Sequence, residues 1–144
     1  MLNNPMTLHL IYTCVALAML TFVVCFRMLW MRIAEMKRER IHPQSINQSF
    51  VRGQTMKDSR ASDNYNHLFE MPILFYVLCG LAVVTQFIPD WMPVAAWGYV
   101  GLRALHSWIQ CTYNKVMHRF TVFALSYMWL WGMWIGFGVS FITI

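Results

Sequence analysis

Charged side chains are scarce in this sequence. Of its 144 residues, 12% are charged and 58% are hydrophobic, and only 6 are acidic. Soluble domains carry about 25% charged residues. The composition therefore excludes an ordinary soluble domain and predicts a membrane protein, and the length predicts a single domain.

Motifs for metal binding and for nucleophilic catalysis are also absent. The four cysteines all lie in apolar runs and form no CxxC pair: Cys14, Cys25, Cys79 and Cys111. This distribution favours small buried hydrophobic residues over disulfides or a metal site. We therefore expect no metal centre, and no Ser/His/Asp arrangement indicates an enzyme with its own nucleophile.

Basic residues do not occur before the first apolar run, and no small-residue cleavage site follows it. A cleaved signal peptide needs both features, so we interpret this run as a permanent span. The basic segment 36–60 that follows contains a single aromatic residue, Phe50. Its position beside a membrane favours attraction to anionic lipid headgroups, and we expect no nucleic-acid partner.

Four apolar runs are long enough to cross a bilayer, which takes about 20 residues: Leu8–Phe26, Leu68–Ile88, Trp91–Thr112 and Phe120–Ile144. They predict one domain, residues 1–144, with helices at about 7–40, 60–88, 91–114 and 119–144. Ten of the 11 lysines and arginines lie in the first and third connections. By the positive-inside rule these connections face the cytoplasm. The predicted fold is an all-α integral membrane bundle of four transmembrane helices, with both termini on the non-cytoplasmic side.

Two of these runs carry a polar face. Residues spaced i, i+3 and i+7 share one side of a helix, and both runs have this spacing: Asp63, Asn66 and Glu70 in the second, Arg103, His106 and Gln110 in the third, with Tyr113 within about a quarter turn.

Glu70 and Arg103 are the simplest pair between these two faces. An arginine near the middle of a span costs at least ~2.5 kcal/mol, and Glu70 is the only carboxylate in the apolar part of a span. One interpretation is that the pair only neutralises Arg103 and fixes the register of the helices. The other is a hydrated, ligand-sized polar pocket near the cytoplasmic surface, because the two faces hold more polar residues than one pair needs. The residues by themselves leave both interpretations open.

The fourth run begins near Arg119, whose side chain either reaches the membrane interface or points into such a pocket. Gly132 and Gly136 have the small-xxx-small spacing that predicts close helix packing. An interfacial aromatic belt at the second connection is predicted from Trp91, Trp97 and Tyr99.

Together these features resemble the MAPEG family, the membrane-associated proteins in eicosanoid and glutathione metabolism. The resemblance covers nearly the whole chain: four spans, a long basic first loop and a second helix with Asn66, Glu70 and Pro72. The third helix reads RALHSWIQCTYNKVMHR. Arg103 and His106 match the Arg-xx-His pattern of the family, and Arg119 matches its arginine sixteen residues after the first.

The resemblance implies a homotrimer whose active sites lie between subunits and open to the cytoplasmic leaflet, here of a bacterial inner membrane. It implies glutathione as cosubstrate, with Arg119 stabilising the thiolate, since an adjacent cation lowers the pKa of a thiol. It also implies a lipophilic small-molecule partner that arrives through the membrane lipids. The glutathione-binding residues that it implies are Arg60, Asn66, Glu70, Arg103, His106, Gln110 and Tyr113.

Three functions are compatible with this sequence. The first is a membrane glutathione transferase or peroxidase acting on lipophilic electrophiles or lipid hydroperoxides. The second, the alternative to the first, is a non-catalytic lipid-binding or accessory subunit with the same fold. A departure from the Arg-xxx-Asn-xx-Glu motif of the family supports it, because Glu70 stands six residues after Asn64 rather than three. The third, a small proton-coupled exporter, needs a glutamate in the first span, and no acidic residue occurs between Met1 and Leu29.

Overall fold

The computed structural model describes residues 4–38, 40, 72–113 and 115–143, without the side chains of Met28, Arg32 and Val116. These residues form four helices, which we number α1 to α4: Pro5–Arg38, Pro72–Val84, Met92–Cys111 and Val116–Ile142. No strand occurs in these ranges. The predicted all-helical class is therefore confirmed for this part of the chain.

The helices begin and end where the local sequence favours it. Before α1, the Asn4 side-chain oxygen accepts a hydrogen bond from the Met6 amide at 3.0 Å, and Pro5 occupies the first helical position, where an amide donor is not needed. After α2, Gln86 adopts a positive φ of 58°, which breaks the helix. Pro93 lies in the first turn of α3, which is the position that proline tolerates best.

Two of the described helices are long and apolar enough to cross a membrane: Pro5–Arg38 and Met117–Ile142. With 34 residues, α1 is about 51 Å long, so it exceeds a hydrocarbon core of about 30 Å and continues beyond it. Pro72–Val84 is a shorter apolar helix of 13 residues. The four-span arrangement and the orientation of the termini stay predictions.

Helix α3 lies at the centre of this arrangement. It packs against α1 and α4, while α2 packs against α1. The core between the helices consists of apolar side chains from all four, among them Leu10, Leu17, Phe75, Leu78, Ala96, Leu130 and Met133. The outward faces of the helices are also apolar, with large exposed residues such as Phe26, Val94 and Ile135. This is the surface expected of a protein that contacts lipid.

Tryptophan rings and glycines hold α3 and α4 together. The Trp129 indole lies on Gly98, where an added Cβ would come within 2.9 Å of the ring, and its nitrogen donates to the Ala95 carbonyl at 2.9 Å. Trp91 lies on Gly136 in the same way, because a Cβ added at Gly136 would also come within 2.9 Å of the Trp91 ring. No described atom lies within 4 Å of a Cβ added at Gly132. Of the two predicted packing glycines, Gly136 therefore receives a ring, and Gly132 does not mediate helix contact here.

The predicted interfacial aromatic belt is wrong for Tyr99. Trp91 and Trp97 are exposed, but Tyr99 is completely buried. It lies three residues after Ala96 and four before Arg103, and all three belong to the face of α3 that is turned inward. The ring therefore belongs to the core rather than to the interface.

Candidate functional site

The inward face of α3 carries three polar side chains in the apolar interior. Arg103 and His106 are each 1% exposed, and Gln110 is 0% exposed. Their i, i+3, i+7 spacing places them on one side of the helix, and α3 packs against α1 and α4. Burial of three such groups is costly unless each finds a partner, which makes this face the candidate site.

Arg103 is held among aromatic rings. Its Nε donates to the Tyr99 hydroxyl at 3.2 Å, and the Tyr99 ring stacks on Phe75 with 4.8 Å between centroids. The guanidinium carbon lies 5.7 Å from the Tyr99 ring centroid and 5.6 Å from that of Phe123, distances typical of cation–π contact. Its Nη1 atom is enclosed and makes no hydrogen bond within the described part of the chain. The cation is thus positioned, and its Nη1 has no hydrogen-bond acceptor among the described residues.

Gln110 is the second polar group with unused hydrogen-bonding capacity. Both the oxygen and the nitrogen of its carboxamide are enclosed, and neither is hydrogen-bonded by any residue in ranges 4–38, 72–113 or 115–143. Leaving a buried polar group unsatisfied costs about 1–3 kcal/mol. A side chain of this kind at a fully buried position indicates a polar partner that these ranges do not supply.

Phe123 of α4 joins Arg103 to His106. Its ring centroid is 5.8 Å from that of His106, and it also carries the cation–π contact with Arg103. Sequence reasoning did not identify Phe123 or Tyr99 as site residues. Both are aromatic residues in apolar runs, a pattern shared by many core positions, so no sequence signal distinguished them.

A side chain of α1 makes a hydrogen bond to the C-terminal end of α3, just after Gln110. Arg27 of α1 donates from Nη2 to the backbone carbonyl oxygen of Cys111. A cation at the C-terminus of a helix satisfies a free carbonyl and interacts favourably with the helix dipole. Arg27 and Arg32 are the first two arginines of the chain, and by sequence either could approach the site from α1. The structure places Arg27 beside α3, and the side chain of Arg32 lies outside its description.

Two further predicted residues lie in the connection after α3 and in the first turn of α4. Tyr113 is exposed, and its hydroxyl lies 3.3 Å from Nδ1 of His118. Arg119, the predicted thiolate stabiliser, is half-buried in the first turn of α4. Gln110 is buried while Tyr113 is exposed, so the predicted polar face ends at the surface close to the start of α4.

The second-helix residues of the predicted site lie outside the described residues. These are Arg60, Asn66 and Glu70, together with Asp63. The Glu70–Arg103 pair therefore stays a prediction. Among the residues that are described, no group of three or more His, Cys, Asp or Glu side chains is arranged to hold a metal ion.

Comparison with known proteins gives one match. None of the curated proteins matches the chain, and no solved structure matches it. The model of the MAPEG family matches residues 10–139, nearly the whole chain. This match agrees with the resemblance seen in the sequence and with the helical, outwardly apolar structure. The chain belongs to the MAPEG family.

Proposed function

We propose that this protein is a membrane glutathione transferase or peroxidase that acts on lipophilic electrophiles or lipid hydroperoxides. The observation that carries the proposal is that Arg103 Nη1 and the Gln110 carboxamide, on the buried face of α3, have no hydrogen-bond partner among the described residues. Family membership supports a role connected with glutathione or eicosanoid metabolism. A polar, anionic peptide is a ligand whose carboxylates and amides would satisfy both groups.

Glutathione suits the charges around this face. It carries two carboxylates and one ammonium group, and the nearby cations are Arg27, Arg103 and Arg119. Guanidinium groups bind carboxylates through paired hydrogen bonds. In this proposal Arg103, His106 and Gln110 hold the peptide from α3, and Tyr113 does so from the connection that follows it. Arg60, Asn66 and Glu70, which precede α2 in the chain, bind it as well, and Arg119 lies beside the sulfur.

The chemistry needs no nucleophile from the protein. Arg119 stabilises the thiolate by its positive charge and so raises the fraction of reactive glutathione at neutral pH. In transfer, the thiolate sulfur attacks an electrophilic carbon, and the bond from that carbon to a leaving group or to an epoxide oxygen breaks, so that the departing group takes the electron pair and then a proton. In peroxide reduction, the thiolate attacks the terminal oxygen, the O–O bond breaks and an alcohol leaves. A second glutathione then displaces water from the oxidised sulfur and forms the disulfide.

An apolar groove on the outer surface suits the lipophilic partner. It has a volume of about 250 Å³ and lies between α2 and α4, where its walls are Leu74, Tyr127, Leu130, Trp131 and Trp134. Tyr127 follows Phe123 by one turn of α4, so the groove lies near the buried polar face. The Trp134 indole nitrogen is enclosed and has no hydrogen-bond acceptor in the described chain. A carbonyl, epoxide or peroxide oxygen on an apolar molecule would provide one.

The proposed membrane topology has four spans. The chain spans the bilayer four times, both termini face away from the cytoplasm, and the basic connections face it, because ten of the 11 basic residues lie in them. Glutathione then enters from the cytoplasm and the electrophile enters from the lipid. As in the family, three copies assemble with the site at their contacts.

Calorimetry of glutathione binding to the detergent-purified protein tests this function. We expect saturable binding, a glutathione thiolate visible by ultraviolet absorbance, and loss of that thiolate in Arg119→Ala. The matched control is Lys115→Ala, which removes an exposed cation four residues before Arg119. This variant should change neither glutathione binding nor the thiolate absorbance. No binding by a folded wild-type oligomer would contradict the proposal and favour the non-catalytic lipid-binding or accessory subunit.

A further inference from the structure

Tyr99 is a buried polar residue to which the proposed reaction assigns no role. Its side chain is completely buried on the inward face of α3, one helical turn before Arg103. Side chains on a helix lean toward its N-terminus, and residues four positions apart are neighbours. The Arg103 side chain therefore extends back to the phenol, and its Nε donates to the Tyr99 hydroxyl oxygen at 3.2 Å.

A second helix fixes the Tyr99 ring. Phe75 of α2 is also completely buried, and its ring stacks on that of Tyr99 with 4.8 Å between centroids and 20° between planes. Stacked aromatic pairs at this distance stabilise a structure beyond the area that they bury. The position of the Tyr99 hydroxyl is therefore set by contacts between α2 and α3, and every residue that makes them is described.

The hydrogen bond at Nε decides which edge of the guanidinium is left for a ligand. A guanidinium binds a carboxylate through two parallel hydrogen bonds, either side-on through Nε and Nη2 or end-on through Nη1 and Nη2. The Tyr99 hydroxyl accepts the Nε hydrogen and so excludes the side-on arrangement. Nη1, which belongs to the end-on pair, is enclosed and has no hydrogen-bond acceptor among the described residues.

Aromatic rings stabilise the charge of Arg103 without directing its N–H groups. The guanidinium carbon lies 5.7 Å from the centroid of the Tyr99 ring and 5.6 Å from that of Phe123 on α4. Such contacts favour a cation near the face of a ring, whereas a hydrogen bond also depends steeply on angle. The contact that orients the guanidinium is therefore the hydrogen bond from Nε to Tyr99.

We propose that Tyr99 is a positioning residue, which holds Arg103 so that its Nη1–Nη2 edge receives one carboxylate of glutathione. Tyr99 does not touch the peptide and takes no part in the reaction at sulfur, because it acts through Arg103. The inference rests on the proposed function and names the group of glutathione that Arg103 recognises. Without the hydroxyl the positive charge stays, but its direction is no longer fixed, so recognition of a planar carboxylate weakens.

Tyr99→Phe tests this inference, because it removes the hydroxyl and keeps the ring. Calorimetry of the detergent-purified protein measures the binding of glutathione and of two analogues that each lack one carboxylate. These are the ethyl ester of the glycine and the peptide in which γ-aminobutyrate replaces the γ-glutamyl residue. We expect one analogue to bind the wild-type protein about tenfold more weakly than glutathione. In Tyr99→Phe, glutathione should bind about tenfold more weakly, and loss of the same carboxylate should cost a factor of about three or less.

The two carboxylate effects separate positioning from a merely structural role. A residue that only supports the fold would, when changed, weaken the binding of all three peptides by the same factor, whereas coupled groups give unequal factors. An equal effect of Tyr99→Phe on all three peptides, or no effect on any, would therefore overturn the proposal. If the wild-type protein binds none of the peptides, the proposed function fails and this inference fails with it, a result distinct from binding without coupling.

Phe75→Leu tests the same contacts from α2, even if Tyr99→Phe fails to fold. It keeps an apolar side chain but removes the stack on Tyr99, so it should weaken glutathione binding and reduce the carboxylate effect, each by a smaller factor than Tyr99→Phe. The control is Tyr12→Phe, which removes the hydroxyl of an exposed tyrosine on α1 and should leave all three affinities unchanged. Wild-type affinities in a folded Phe75→Leu protein would refute the assignment.

Discussion

Replacing Gln110 by methionine should change stability and ligand binding in opposite directions. The two side chains have similar length, but methionine has no strong donor or acceptor. In the described chain both polar atoms of the Gln110 carboxamide are buried without hydrogen bonds. Removing such a group relieves about 1–3 kcal/mol, so the ligand-free variant should unfold at a temperature a few degrees higher.

Glutathione binding should weaken in the same variant. If the peptide satisfies the carboxamide in the complex, losing that partner costs about 1–3 kcal/mol, which raises the dissociation constant about 5- to 150-fold. Thermal unfolding in detergent, with and without glutathione, measures both effects in one series. The same substitution at the exposed Gln86 serves as control and should change neither quantity.

The opposite result would refute this reasoning. If Gln110→Met lowers the stability of the ligand-free protein by 1 kcal/mol or more (about one hydrogen bond), the carboxamide is satisfied by the protein itself. The partner would then belong to the part of the chain outside the described ranges, and Gln110 would be a structural residue rather than a ligand-binding one.

Two further predictions concern the packing of the helices. Gly98→Ala should destabilise the protein by about 1–3 kcal/mol, because the new Cβ would come within 2.9 Å of the Trp129 ring. Gly132→Ala is the control and should be neutral or stabilising, because no described atom lies within 4 Å of its new Cβ. Equal thermal unfolding midpoints of the two variants would contradict this packing. The free thiols of Cys14 on α1 and Cys79 on α2 belong to one core cluster and lie close enough to interact, so mild oxidation should link them in a disulfide that peptide mass spectrometry detects. Absence of that link in the oxidised wild-type protein would contradict the α1–α2 contact, and Cys14→Ser supplies the control.

Several features followed from the sequence because they depend on composition or on helical periodicity. The scarcity of charge and the long apolar runs predicted a helical membrane protein, and the helices and the family match confirm this class. The MAPEG resemblance, which rested on Arg103, His106 and Arg119, is confirmed by the match over residues 10–139. The number of spans and the orientation of the termini remain proposals.

The errors came from positions where a local pattern has two possible environments. Tyr99 resembled an interfacial tyrosine, yet it is buried because its side of α3 faces the other helices. Gly132 and Gly136 share a spacing, yet only Gly136 receives a ring. In each case the neighbours come from a distant part of the chain, and periodicity contains no information about them.

The sequence by itself determined which residues share a helix face, because 3.6 residues per turn fix that relation locally. It placed Arg103, His106 and Gln110 on one side of α3 and indicated that such a side needs partners in an apolar environment. Only the tertiary structure decided which partners are present. It placed Tyr99 and Phe123 around the guanidinium, Arg27 at the end of α3, and no described hydrogen-bonding group beside Gln110. Contacts between helices depend on how their faces pack, and that packing is a property of the whole chain.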